Sequence, residues 1–213
     1  MTPDAGTSPR AAPAPTARGR RRRELLLGAA AELVAAHGFR AVSIADIGAA
    51  AGVTGSAIYR HFPSKHDILV ALLERVVGEL LEGARAVVAS TEDPADAFHA
   101  LVTAHVDFAL RDRAVIRVYD QEADHLADAD RHRIRATMRA YTDEWVRALR
   151  ALRPDLDPRA ARAAVHATFG LLNSVADFHS PLPDEDLRAL LVSMASAGLA
   201  VPSVSPPQRV RVP

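Results

Sequence analysis

Apolar residues recur at three- and four-residue spacing along most of the chain and nowhere at the alternating spacing of a strand, so the pattern predicts an all-α protein. The longest stripe is Ile68, Leu69, Leu72, Leu73, Val76, Val77, Leu80 and Leu81; it predicts a helix over residues 65–89, capped by Ser64. Further helices are predicted over residues 95–110, opened by Pro94, and over 114–125, 128–152, 158–178 and 184–199, with the segment from Arg153 to Pro158 as a break. Ahead of the long stripe, a helix over residues 24–37 closes on Gly38-Phe39. Two short helices follow it.

Those two short helices carry the first functional signal. Ser43 caps the first, Ile44 and Ile47 give it an apolar face, and Gly48 leaves room for its neighbour to cross closely. Gly52 supplies a turn at positive φ, Val53 plugs the angle, and Thr54 caps the second helix, in which Ile58 points inward. This is a helix-turn-helix, whose second helix lies in the major groove of DNA. Its polar groups, Thr54, Gly55, Ser56, Tyr59, Arg60 and His61, form the expected reading edge, with Ser43 and Lys65 beside it. Arg60 has two readings, a bidentate contact to guanine or a grip on phosphate. Phe62 reads as core.

From Glu24 to about Val70 the chain resembles the N-terminal domain of the tetracycline-repressor (TetR) family of bacterial transcription regulators, in the helix before the motif, the motif itself and the run Tyr59-x-His61-Phe62-x-x-Lys65. The resemblance implies that Tyr59, His61 and Lys65 touch phosphates and that Thr54 to Ser56 sit nearest the bases. It also implies a homodimer, paired through the last two helices as a four-helix bundle. Two departures stand out. The family often has glycine at the position of Ser56 and a bulkier or polar residue at that of Gly55, and it usually has alanine at that of Gly48.

Charge sharpens the division. Through His66 there are nine Arg and Lys against four Asp and Glu, a net of +5, so with an overall net charge of zero the remainder carries −5. A basic front on an acidic back suits a DNA-binding head on a body with another task. Residues 1–19, rich in Pro, Ala, Thr and Ser, predict a disordered tail; Arg20, Arg21, Arg22 and Arg23 then lie where they can reach phosphate or the minor groove. Residues 20–66 are the expected DNA-binding domain, 67–200 the effector-binding and dimerisation domain, and 201–213 a loose tail. The 213 residues include no cysteine, no signal-peptide pattern and no membrane-length apolar run, which favours a cytoplasmic protein without membrane contact.

The body holds the material for a ligand chamber. Its expected lining is Phe98, His99, Val102, His105, Val106, Tyr119, Met138, Trp145, His166, Phe169 and Asn173, where polar groups on apolar faces need partners. The expected dimer stripes are Val165, Phe169 and Leu172 on one helix and Leu187, Leu190, Leu191 and Met194 on the next. His99 and His105 are six apart and do not share a helical face, so no metal site is expected, nor any cofactor. A remote alternative is an all-α enzyme, for which no catalytic constellation stands out. The sequence therefore predicts a ligand-responsive regulator, a repressor by preference, released from a pseudo-palindromic operator by a small, lipophilic effector. The alternative is a regulator whose body binds a protein partner or no effector.

Overall fold

The computed structural model describes residues 16–53 and 55–200. Thr54, residues 1–15 of the expected tail and residues 201–213 lie outside the described residues. Eight α-helices carry the fold among the described residues, with no strand.

Helix α1 (Ala17–His37) starts well before the expected position. The Thr16 hydroxyl accepts from Gly19 N at 3.2 Å and caps it, and the alanine and arginines that follow are good helix formers. Residues 17–19 are thus helical, and Arg20 to Arg23 ride on α1 as part of its first two turns instead of preceding it. The helix ends at Gly38, whose φ of 81° carries the chain away while its N–H donates to Val34 O at 2.8 Å. Leu26, Leu27, Ala30, Ala31 and Val34 face inward.

Helix α2 (Ile44–Ala50) opens on a capping box. Asp46 N donates to Ser43 Oγ at 3.1 Å, and Ser43 N donates to the Asp46 carboxylate at 2.8 Å. Gly52 takes the expected positive φ, 64°. A Cβ on Gly48 would lie 2.9 Å from Val53 O, so the turn folds back on α2 through the space that this glycine leaves.

The segment expected as the second helix is tighter and shorter. Gly55–Ala57 form a single 3₁₀ turn, and both His61 N and Phe62 N donate to Ile58 O at 2.9 Å. Gly55 opens that turn with φ 51°, outside the right-handed α region. With Gly55 and Ser56 both weak helix formers and few residues before Pro63, the cost of nucleating an α-helix is not met.

Helix α3 (Lys65–Ser90), capped by Ser64, runs from this head along the body and packs against α6 (Asp128–Leu152). Helix α4 (Pro94–Arg111) is capped by the Asp93 carboxylate with proline in its first turn. Helix α5 (Arg113–Glu122) stops before the expected end, giving way to a 3₁₀ turn at Ala123–His125. Helix α7 (Pro158–Asn173) likewise ends early in a 3₁₀ turn, Ser174–Ala176, and α8 (Asp184–Ala200) closes the bundle. One apolar core extends without a break from Leu26 in the head through Trp145 to Leu199.

Candidate functional site

The outer edge of the head carries Gly55, Ser56, Tyr59 and Arg60 exposed around the buried anchors Ile58 and Phe62. Tyr59 is 54 % exposed and so lies outside the packed core. His61 is half-buried. Arg23 links α1 to this edge: its guanidinium lies 4.3 Å from the centre of the Phe62 ring and reaches His61 O at 3.5 Å. Arg23 is thereby held beside that edge.

Lys65, expected to touch phosphate, makes contacts within the head. Its ammonium donates to Phe39 O at 2.5 Å and Val42 O at 2.7 Å and sits 4.2 Å from the Phe39 ring centre. It clamps the loop between α1 and α2 onto the start of α3. A second clamp comes from the body, where the buried Glu122 carboxylate at the end of α5 accepts from Phe39 N at 3.2 Å. A third joins α3 to α6, with His66 Nε2 3.2 Å from the Asp130 carboxylate and Arg133 bridging Asp130 and Glu74 at 2.5 and 3.0 Å. The His66 and Arg133 bonds hold the Asp130 carboxyl below its ordinary range.

Inside the body two chambers of about 140 and about 80 Å³ share one wall made of Val76, Leu80, His105 and Phe108. The larger opens past Glu79 and Arg111 and reaches Tyr141; the smaller is completed by Ile116, Tyr119, Asp120, Met138 and Asn173 among others. Of the expected lining, His105, Tyr119, Met138 and Asn173 are in place. Phe98, Val102, Val106 and Trp145 line neither chamber and are packed in the core behind them. Phe169 likewise lines neither and stacks on His105 and Tyr141, with ring centres 5.0 and 5.4 Å away. His99 and His166 are exposed, because each sits on the outer face of its helix, and neither belongs to the site.

Three side chains far apart in sequence form a buried chain of hydrogen bonds. His105 Nδ1 lies 2.8 Å from Tyr141 Oη and His105 Nε2 lies 3.0 Å from Asn173 Oδ1. Burial lowers the His105 pKa to about 4, so the ring is neutral and carries one proton. That proton is on Nε2, because Asn173 Oδ1 only accepts; Nδ1 therefore accepts from the Tyr141 hydroxyl. Burial pushes the Tyr141 phenol upward, and Trp145 Nε1, buried beside it, makes no hydrogen bond of good geometry. Asp120 is also raised, by burial first and by the Asp177 charge second.

Sequence reasoning missed Tyr141 as a polar partner and α3 as a chamber wall. The signal for α3 was its doubled stripe, Val76-Val77 and Leu80-Leu81, which is too wide for one neighbour.

The expected dimer stripes also need correction. Val165, Leu172, Leu187 and Leu191 are at most 4 % exposed within the single chain, since they face α4 and α6 or each other. Two of the expected residues, Leu190 and Met194, 45 % and 46 % exposed, do face out on α8, and on α7 the outward row is His166 and Gly170. Phe169 is half-buried. Among the described residues no group of metal-ligating side chains gathers, and no helix is long and apolar enough to cross a membrane.

A helix-turn-helix head with an exposed polar edge, clamped to a helical body that carries two partly open chambers, defines a DNA-binding transcription regulator. The model for bacterial regulatory proteins of the tetR family matches residues 26–72, and that for the tetracyclin repressor-like C-terminal domain matches residues 91–199. The chain belongs to the TetR family. It is 30 % identical over 147 residues to the HTH-type transcriptional repressor KstR2 of Rhodococcus jostii, covering 66 % of this chain and 72 % of that one. Over 87 residues, 41 % of this chain and 40 % of the other, it is 37 % identical to the HTH-type transcriptional activator FasR of Mycolicibacterium smegmatis. The solved structure of the ketosteroid transcriptional regulator KstR2 of Mycobacterium tuberculosis superimposes with a TM-score of 0.70 at 27 % identity, covering 83 % of this chain and 94 % of that one.

Proposed function

We propose that the protein is a cytoplasmic, homodimeric repressor that holds a pseudo-palindromic operator and lets go when a lipophilic small molecule enters the chambers of the body. One observation carries this reading: the helix whose first residue clamps the head, α3, lines both chambers with Val76 and Leu80. A ligand wedged against those side chains must displace α3 or be excluded. Because the Lys65 clamp moves with α3, the spacing of two heads on one operator changes with it. A ligand that fits only the displaced arrangement then weakens DNA binding, and DNA weakens ligand binding by the same factor.

The DNA-binding role falls to residues 20–66, with Arg20, Arg21, Arg22, Arg23, Ser56, Tyr59, Arg60 and His61 as contacts. The effector role and dimerisation fall to residues 67–200. The outward rows of α7 and α8, with Leu190 and Met194, supply an apolar self-complementary face for the twofold partner. The KstR2 and FasR relatives are a repressor and an activator respectively, and the longer match is to the repressor.

The test uses an operator selected from a random duplex library. Long-chain fatty acids, acyl-thioesters and apolar ketones are screened by the fluorescence of Trp145, the only tryptophan. A compound that perturbs Trp145 is expected to lower operator affinity at least tenfold. A series of hits that fill the body yet leave operator affinity unchanged would refute effector-driven release.

A further inference from the structure

In the structure Asn173 turns its Oδ1 toward His105 Nε2, 3.0 Å away. Because Oδ1 is taken by the His105 Nε2 proton, the Nδ2 amino group is the end left over, and Asn173 lines the smaller chamber. Nδ2 makes no hydrogen bond among the described residues, and neither does the hydroxyl of Tyr119, which lines the same chamber. A polar donor at an apolar wall requires an acceptor, and water or a ligand must supply it. Apart from Asp120 and the His105 ring, the rest of that wall is apolar.

Charge narrows the class further. No lysine or arginine lines the smaller chamber, whereas Asp120 does, so an anionic group placed there would meet a carboxyl and no countercharge. The lowered pKa of His105 removes the one remaining candidate cation at neutral pH. At the mouth of the larger chamber Arg111 is bonded to Asp112 at 2.8 Å and Glu79 stands with it, so that end is balanced and not cationic. The two chambers together offer space on the order of seven waters, enough for a bicyclic ring system once the shared His105–Phe108 wall gives.

We propose that the effector is an uncharged, largely apolar molecule whose carbonyl oxygen accepts from the Asn173 amide in the smaller chamber, with its ring or alkyl body lying along Val76, Leu80 and Phe108. The proposal rests on the effector-binding reading above and names the chemistry of that same site. Asn173 is the specificity residue. His105 and Tyr141 are positioning residues: they hold the amide donor outward and touch the ligand only through their apolar faces.

The experiment compares trans-2-decalone, its parent hydrocarbon decalin, decalin-2-carboxylate and decanoyl coenzyme A on the full chain at pH 7, reading Trp145 fluorescence and thermal shift. The ketone is expected to bind at least tenfold more tightly than the other three. Asn173→Asp keeps an acceptor for His105 but deletes the donor, and is expected to reduce the ketone to the level of decalin. Where that variant fails to fold, the ranking on the native chain decides alone, and Tyr119→Phe, expected to retain the ketone preference, checks which donor is used. Binding of the carboxylate or the thioester as tight as that of the ketone overturns the carbonyl assignment while leaving effector binding intact. So does an unchanged ketone preference in folded Asn173→Asp. Failure of every probe overturns the assignment and the effector reading together.

Discussion

The head and the body of this protein are built on opposite principles. In the head the decisive contacts join residues three to five apart: Ser43 with Asp46, Gly38 with Val34, and Gly48 with Val53. In the body they join residues 36 and 68 apart, as in the bonds from His105 to Tyr141 and to Asn173. The head shows its polar groups to solvent and buries only anchors, while the body, charged on its surface, also buries a few polar side chains, His105, Glu122, Thr142, Glu144 and Thr168. A surface that must meet a large rigid polymer is set by local turns; a chamber that must enclose a molecule is set by tertiary packing, and its polar groups are held by each other.

The largest expected effect separates the two halves by acid. His105 is lowered from 6.5 to about 4 by burial, so on acidification the unfolded chain takes up a proton at His105 that the folded chain refuses. The contribution of this group to stability is complete above pH 6.5 and is lost as pH falls toward 4, on the order of 3 kcal/mol in all and about 2 kcal/mol by pH 5. His105→Gln, which cannot titrate, should unfold in denaturant with a weaker pH slope between 7 and 5 than the native chain. Equal slopes would mean that the histidine is hydrated and that the buried chain of hydrogen bonds does not persist in solution.

Gly48→Ala tests the head in the same terms. The new Cβ would stand 2.9 Å from Val53 O, a backbone atom held by its own bond from Val53 N to Gly48 O at 2.7 Å. Relief requires the turn to move, costing about 1–3 kcal/mol against a gain of roughly 1 kcal/mol in helix propensity. Net destabilisation by about 1 kcal/mol and a weaker, less salt-sensitive grip on DNA are expected, with the Trp145 fluorescence spectrum unchanged. Because the core runs unbroken between the halves, denaturant should give one transition in this variant. Two transitions would show that the head unfolds by itself.

The same contrast explains what could be read from the sequence. The capping box, the positive φ of Gly52 and the room left by Gly48 follow from residue type and short spacing, so they were legible. The reading helix was misjudged because Gly55 adopts φ 51° and leaves only a 3₁₀ turn, a backbone choice that its motif position did not reveal. In the body the apolar stripes announced the helices but not their facing. His99 and His166 sit on helices rich in core residues yet look outward, and Val165, Leu172, Leu187 and Leu191 were assigned to a partner although they pack within the chain. A stripe identifies a buried face without naming what buries it. Tyr141 and Asn173 meet His105 only after three helices have docked, and no spacing in the sequence encodes that meeting.

The smallest expected effect concerns the cap of α2, where local order should be most separable from the body. Ser43→Ala removes the hydroxyl that accepts from Asp46 N and donates to the Asp46 carboxylate at 2.7 Å, and should cost about 1 kcal/mol at pH 7. The Ser43 hydroxyl is also the largest cause of the lowered Asp46 pKa, followed by the Ser43 amide. A carboxyl whose folded pKa is depressed contributes stability above its ordinary value of 3.8 and loses it as pH falls through the lowered one. The difference between native and Ser43→Ala chains should therefore hold steady from pH 7 to 5 and shrink only below the ordinary carboxylate range, at more acid pH than the His105 step. Operator affinity should fall by less than tenfold, since α2 supports the reading edge without forming it. A loss of specific binding as large as that from removing Arg60 would instead place Ser43 on the DNA, where its exposed position at the helix start allows a phosphate to take the bond now made to Asp46.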